Sequence, residues 1–294
     1  MTARDELRKV KSMLEQRKRQ ELMAFAADIR TQTVDMIAKI GSGHVGGSLS
    51  IADLMACLYG GQMRIDPKNP TWEERDRIVL SKGHAGPAMY AALALKGYFP
   101  MELLDTLNQP PTDLPSHTDR KRTPGVDMTT GSLGQGASTA AGIALALKKK
   151  KKEDIRTYLI LGDGESQEGQ VWEMAIFAAA QKLNHLIAFL DCNGKQLDGT
   201  VEETMGGEPQ FEAKFEAFGW NTIRVEDGND VEQIWDAIDQ AKGYQGDKPT
   251  IIILHTIKGK GWSYAMAQES CHSLGVTEAL AQQAAEEFSR QRGE

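Results

Sequence analysis

The chain is poor in cysteine and has no long apolar run, and each shortage removes a class of protein. Its three cysteines, Cys57, Cys192 and Cys271, are odd in number, far apart and never paired as CxxC. That pattern disfavours both a disulfide scaffold and a zinc site, and leaves reduced thiols in structural places. No stretch approaches the ~18 apolar residues that a membrane span needs. The amino terminus, MTARDELRKVKSMLEQRKRQ, is charged throughout and lacks the apolar centre of a signal peptide. Positive charge is also in deficit: 34 Lys and Arg face 41 Asp and Glu, and a net charge of −7 argues against general nucleic-acid binding. The expectation is a soluble, cytoplasmic protein with neither nucleic acid nor membrane as partner. At 294 residues, 40% hydrophobic and 26% charged, it has ordinary globular composition and can bury a substantial core.

The apolar residues present fall into short β-rich runs separated by glycine-containing turns and helical stretches. Strands are expected at 77–80, 157–161, 186–190, 222–225 and 250–255, with helices near 51–59, 137–148 and 231–242. From Asp5 to Ile40 there is neither Gly nor Pro, and Leu22, Phe25, Ala26, Ile29, Val34, Ile37 and Ile40 recur at mainly helical spacing, so a long helix with a highly charged start is expected there. The repeated strand, loop, helix order predicts an α/β fold, a doubly wound parallel sheet with helices on both faces. Residues 1–40 read as a helical extension packed on one domain, 41–294. The lysine run Lys148 to Lys152 reads as a solvated helix end, favoured by the helix dipole, and not as a basic binding patch.

Two strand ends carry oxygen donors. Gly162-Asp163-Gly164 follows one apolar run and precedes a long helix-like stretch, which puts the Asp163 carboxylate at a strand's carboxyl end and Glu168 one helical turn after Gly164, where a solvated side chain is the plain reading. The next run leads to Asn193, 29 residues after Gly164, enough for one crossover helix between parallel neighbours. Asn193 is thereby expected beside Asp163. Magnesium is usually held by one or two carboxylates plus phosphates, so a carboxylate, an amide oxygen and a diphosphate form a workable set. The glycines let a diphosphate approach a helix amino terminus, where unpaired N–H groups favour anions. A lone Gly-Asp-Gly also makes ordinary turns, and it is the pairing with a strand-terminal Asn-Gly that points to a cofactor.

Four of the six histidines, His44, His84, His117 and His272, lie in loops beside Gly, Ser or Pro, a placement that favours function. His185 precedes a strand and His255 ends one, and neither is given a role. The surrounding segments, SGHVGG, SKGH, LPSH…TPGVDMTTGSLGQG, GDGESQEG, LDCNGKQLDG and HTIKGKG, resemble transketolase from about Arg30 to His272. The resemblance implies thiamine diphosphate and Mg2+, with Ca2+ or Mn2+ able to substitute. It implies Asp163, the Asn193 side chain and the Lys195 carbonyl as metal ligands. It places His84, Gly131, the Leu133 backbone, Gly164, Glu165 and Asn193 at the cofactor, with Glu168 as a carboxylate at a subunit interface coupled to it. His44, His117 and His272 would face the reacting ketose, His44 and His272 in proton steps and His117 at the donor's terminal hydroxyls.

Transketolases also need a carboxylic acid at the cofactor's aminopyrimidine, and it comes from a second domain. This sequence stops at Glu294 after an Ala- and Glu-rich, helix-like tail. The expectation is therefore the amino-terminal subunit of a split transketolase. Its partner would be a separately encoded carboxyl-terminal subunit with the pyrimidine and C-terminal domains, in a heterotetramer of two copies of each chain. It would move a two-carbon unit from a ketose donor to an aldose acceptor. Alternatives are the α subunit of a 2-oxo acid dehydrogenase first component and a noncatalytic cofactor-binding scaffold. Three positions depart from the family pattern: Val45 where Pro is common, Ser132 in place of Pro, and Cys271-His272-Ser273 without the usual glycine. The last adjoins the substrate side and would fit a nonstandard ketose or acceptor.

Overall fold

In the computed structural model, residues 3–207 and 209–292 are described, with side chains from residue 15 onward. Helix α1 (Ala3–Ile40) leads through a two-residue strand, β1 (Ser42–Gly43), into α2 (Gly46–Leu49) and α3 (Ala52–Cys57). Then follow β2 (Arg77–Leu80), α4 (Gly86–Leu95), α5 (Gln135–Lys149), β3 (Thr157–Gly162), α6 (Gly169–Ala180) and β4 (Leu186–Cys192). The remainder is α7 (Val201–Met205), α8 (Phe211–Ala217), β5 (Asn221–Val225), α9 (Val231–Gly243), β6 (Thr250–His255), α10 (Ser263–Met266), β7 (Leu274–Gly275) and α11 (Glu278–Ser289). The five strands expected from the sequence are all present. They form one parallel sheet in the order β2-β3-β4-β6-β5, and β1 pairs separately with β7.

Because successive strand residues point to opposite faces, β2, β3, β4 and β6 each feed two cores. Tyr158, Ile160, Phe189 and Ile252 join the core made with α1, α3, α4 and α9, while Leu159, Leu161, Leu190 and Ile253 join the one made with α5, α6 and α8. The steps from β2 to β3 and β3 to β4 run in one direction and use α5 and α6 on one face. The backward step from β5 to β6 uses α9 on the other, as right-handed crossovers require. The fold is thus the doubly wound parallel sheet read from the sequence.

Helix α1 runs without a break, consistent with its lack of Gly and Pro, and its charged start lies outside the described side chains. Leu22, Ala26, Ile29 and Ile37 return at helical spacing and are buried, where α1 packs on α3, α4 and α11. The helix expected over 51–59 ends earlier: α3 stops at Cys57 and continues as a wider π turn, Leu58–Gln62, containing Gly61 at φ +151°. Of the lysine run, Lys148 donates to the carbonyls of Gln181 and Lys182 beyond the end of α6, and Lys152 pairs with Glu73 and Glu74. Among the described residues, no helix is long and apolar enough to cross a membrane. All three cysteines are unpaired.

Candidate active site

The carboxyl ends of β2, β3, β4 and β6 open into a cleft of about 460 Å³. Every site residue read from the sequence lines it: Asp163, Gly164, Glu165 and Glu168 after β3, Asn193 and Lys195 after β4, His84 after β2, His117, Gly131 and Leu133 from the long loop before α5, and His44 and His272. A larger cavity of about 640 Å³ lies on the far side of the 256–261 loop, among Arg30, Asp53, Asn229, Lys260 and Gln291. Ile257, Lys260 and Gly261 of HTIKGKG border it, but it contains none of the site residues read from the sequence.

Asp163 is buried, and its carboxylate accepts hydrogen bonds from the backbone N–H of Gly194 at 2.6 Å and of Gly164 at 2.8 Å. Burial, together with the nearby Asp191 charge, pushes its pKa up to about 6 despite those bonds. It is a carboxylate short of a counter-charge. One strand over, Asn193 donates from Nδ2 to Asp191 at 2.8 Å, which turns its Oδ1 the other way; that oxygen receives the Lys195 N–H at 3.2 Å. The Lys195 carbonyl accepts from Lys258 Nζ at 2.7 Å and keeps a second lone pair. Among the described residues, no group of three or more His, Cys, Asp or Glu is placed to hold a metal. The proposed donor set is consistent with that, because two of its three oxygens are an amide and a backbone carbonyl. These hard oxygen donors beside one underneutralised carboxylate fit a magnesium-like cation.

The rest of the cleft is electropositive. Lys82 and Lys258 are both buried there, and four imidazoles cluster with His44 ring centroids 5.5 Å from His84, 5.6 Å from His117 and 5.3 Å from His272. His84 and His272 are 4.7 Å apart. Burial lowers every one of their pKa values, and neighbouring cations deepen the effect for two: His84 falls to about 2 beside Lys82, and His272 to about 4 beside Lys258. Lys258 is itself lowered, by burial and then by Lys82. His272 Nδ1 is buried without a protein partner. Such a site disfavours further positive charge and is suited to a polyanion, which fits a diphosphate.

The turn after β3 departs from expectation. In place of a long helix starting at Gly164 there is one 3-10 turn, Glu165–Gln167, and α6 begins only at Gly169. Glu168 is extended (ψ 127°), so it is the exposed residue capping α6 and does not stand one turn inside a helix. Side-chain hydrogen bonds hold the turn: Ser166 Oγ donates to the Gly162 carbonyl and Trp172 Nε1 to the Ser166 carbonyl. Glu165 borders the cleft, but its carboxylate is occupied by the protein. It accepts from Ser81 Oγ at 2.5 Å, Gly134 N at 2.8 Å and Gly162 N at 3.1 Å, joining three cleft loops. Gly131, at φ +150°, brings the loop so close to His117 that a Cβ would meet its ring at 3.3 Å.

Sequence reading passed over Lys82, Asp191 and Lys258. Asp191 is fully buried and accepts from Lys82 Nζ at 2.5 Å, Ser50 Oγ at 2.7 Å, Asn193 Nδ2 and Thr256 Oγ1. Burial alone would raise its pKa, but the Lys82 charge and these hydrogen bonds outweigh it and hold the carboxyl below the usual range. All three residues sit inside the motif segments already noted, and an acid ending an apolar strand run was the available signal. His185 is structural, with Nε2 2.8 Å from the Ala144 carbonyl, and His255 lies outside the cleft, 3.5 Å from Glu212.

Residues 22–291 match the family described as "Transketolase, thiamine diphosphate binding domain". The chain belongs to this family. It is 54% identical over 271 residues to the 6-deoxy-6-sulfo-D-fructose transketolase subunit of a Clostridium species, covering 92% of this chain and 97% of that one. It is 38% identical to one of the apulose-4-phosphate transketolase subunits of Phocaeicola vulgatus, covering 80% of this chain and 82% of the relative. Among solved structures, transketolase from Campylobacter jejuni superposes with a TM-score of 0.85 at 34% identity, over 92% of this chain. This chain spans 43% of that chain.

Proposed function

We propose that this chain is the cofactor-holding half of a two-chain transketolase, transferring a two-carbon ketol unit from a ketose with an anionic terminus to an aldose acceptor. The supporting observation is the pairing of a cleft that gathers every family motif with near full-length similarity to relatives named as transketolase subunits, against less than half the length of the Campylobacter jejuni transketolase chain. The partner supplies the pyrimidine and C-terminal domains, and the assembly is a cytoplasmic heterotetramer. The anionic substrate class is the feature shared by the two relatives' names, a sulfonated ketose and a ketose phosphate. A noncatalytic scaffold and a 2-oxo acid dehydrogenase subunit are both less favoured, because the named relatives are transketolases and the cleft's donors and imidazoles are intact.

Asp163, the Asn193 amide oxygen and the Lys195 carbonyl hold Mg2+ in this reading, and Lys82, Lys258 and His84 face the diphosphate. Thiamine diphosphate, when bound, supplies the electron sink for breaking the carbon–carbon bond. The protein's part is position and protons. Burial keeps His44 and His117 neutral near pH 7, and burial with the Lys258 and Lys82 charges does so for His272, so His44 and His272 are ready to accept a proton from a donor hydroxyl, and His117 orients the donor's terminal hydroxyls. An anion beside Lys82 and Lys258 offsets their charge and raises the pKa values of His84 and His272. The test is a substrate comparison on the assembled complex. Two-carbon transfer from an anionic ketose is expected, and decarboxylation of a 2-oxo acid without ketol transfer would refute the reading.

A further inference from the structure

We propose that Asp191 is a positioning residue that presents the Asn193 amide oxygen to the metal; this rests on the metal reading given above. An amide group can face a cation with either end, and only the oxygen end binds. Asp191 decides between them. Its carboxylate is fully buried and paired with Lys82, so it is an acceptor with no proton to give. The Asn193 atom 2.8 Å from it must therefore be the donor Nδ2, and Oδ1 is turned away from Asp191. Asp191 is the penultimate residue of β4 and Asn193 the first beyond it, which keeps the two side chains within reach.

The carboxylate is in turn held by parts of the fold distant in sequence. Ser50 at the end of α2, Lys82 after β2 and Thr256 after β6 all donate to it, and Lys82 also donates to the Gly47 carbonyl at 2.8 Å. Asp191 thus cannot rotate without breaking four contacts, and Asn193 inherits its orientation. The Asp191 charge has a second effect: it neutralises Lys82, a buried cation that would otherwise oppose a divalent ion in the same cleft.

The test is Mn2+ titration of the assembled complex holding thiamine diphosphate, with unbound Mn2+ read by electron paramagnetic resonance. Asp191→Ala is expected to weaken Mn2+ binding by about 10–100-fold, the range for lost partners of metal ligands, while Ser50→Ala and Thr256→Val stay within about 3-fold. Those two variants each strip a hydrogen bond from the same carboxylate but leave the bond to Asn193. Should Asp191→Ala fail to fold, Asp191→Leu combined with Lys82→Met removes acceptor and unpaired charge together, and the same loss is expected. Wild-type affinity in the Asp191 variants overturns the proposal, as does an equal loss in Ser50→Ala and Thr256→Val. If Asp163→Ala binds Mn2+ as the wild type does, the metal site itself is wrong, and the proposal is overturned with it.

Discussion

The Lys82 ammonium lies 2.5 Å from the Asp191 carboxylate, and at 2% and 0% side-chain exposure neither meets solvent. Breaking such a pair leaves one buried charge without a partner, whereas removing both partners does not. Lys82→Ala is expected to destabilise the fold by about 3–5 kcal/mol, more than Lys82→Met combined with Asp191→Leu. Urea denaturation of the three proteins measures the difference, and a double variant less stable than the single one would contradict it.

Glu165 fastens the loops at Ser81, Gly134 and Gly162. Glu165→Ala leaves two backbone N–H groups and a hydroxyl short of an acceptor, at about 1–3 kcal/mol for each one that water cannot reach. A lower urea midpoint and weaker thiamine diphosphate binding are expected, with Glu165→Gln intermediate because it keeps one acceptor oxygen. An unchanged midpoint in Glu165→Ala would show that the loops are held by other contacts.

Asp163 gives metal binding a pH dependence. Its carboxyl is raised from 3.8 to about 6 in the folded, metal-free chain, mainly by burial. Between those values the folded state holds the proton and the unfolded state does not. This group therefore favours the fold below the window, and its contribution is lost as pH rises through it. Metal binding must release the proton, so Mn2+ affinity should be level above about pH 6 and fall up to tenfold per pH unit below it. Calorimetric titration across that range checks the slope, and a flat profile down to about pH 4.5 would exclude Asp163 as a ligand.

His44 is the imidazole at the centre of the cluster, within 5.6 Å of the other three ring centroids. His44→Ala should slow the donor half-reaction by about 10²–10⁴-fold while leaving cofactor binding in place. Stopped-flow measurement of that step decides the matter, since a wild-type rate would remove His44 from the proton steps.

The sheet was legible because its strands are compact apolar runs, such as 157–161 and 186–190, each ending in a Gly- or Asn-containing turn. Asp163 and Asn193 were legible for the same reason: a parallel neighbour one crossover away brings strand ends together. Lys82 and Asp191 were not, because they are 109 residues apart and nothing local to either indicates the other. The orientation of Glu165 was hidden in the same way, since a carboxylate beside a glycine turn can face a ligand or its own loops, and Ser81 and Gly134 settle the choice. The helix expected directly after Gly164 failed because that tie and the Trp172 to Ser166 hydrogen bond replace its first turn.

We propose that this cleft is half of an active site. The most direct measurement is ketol transfer from an anionic ketose to an aldose, with Mg2+ and thiamine diphosphate, by the purified chain alone and after addition of the purified pyrimidine-domain partner. No turnover is expected from the chain alone, and robust turnover on reconstitution. Robust turnover by the demonstrably pure single chain would contradict it.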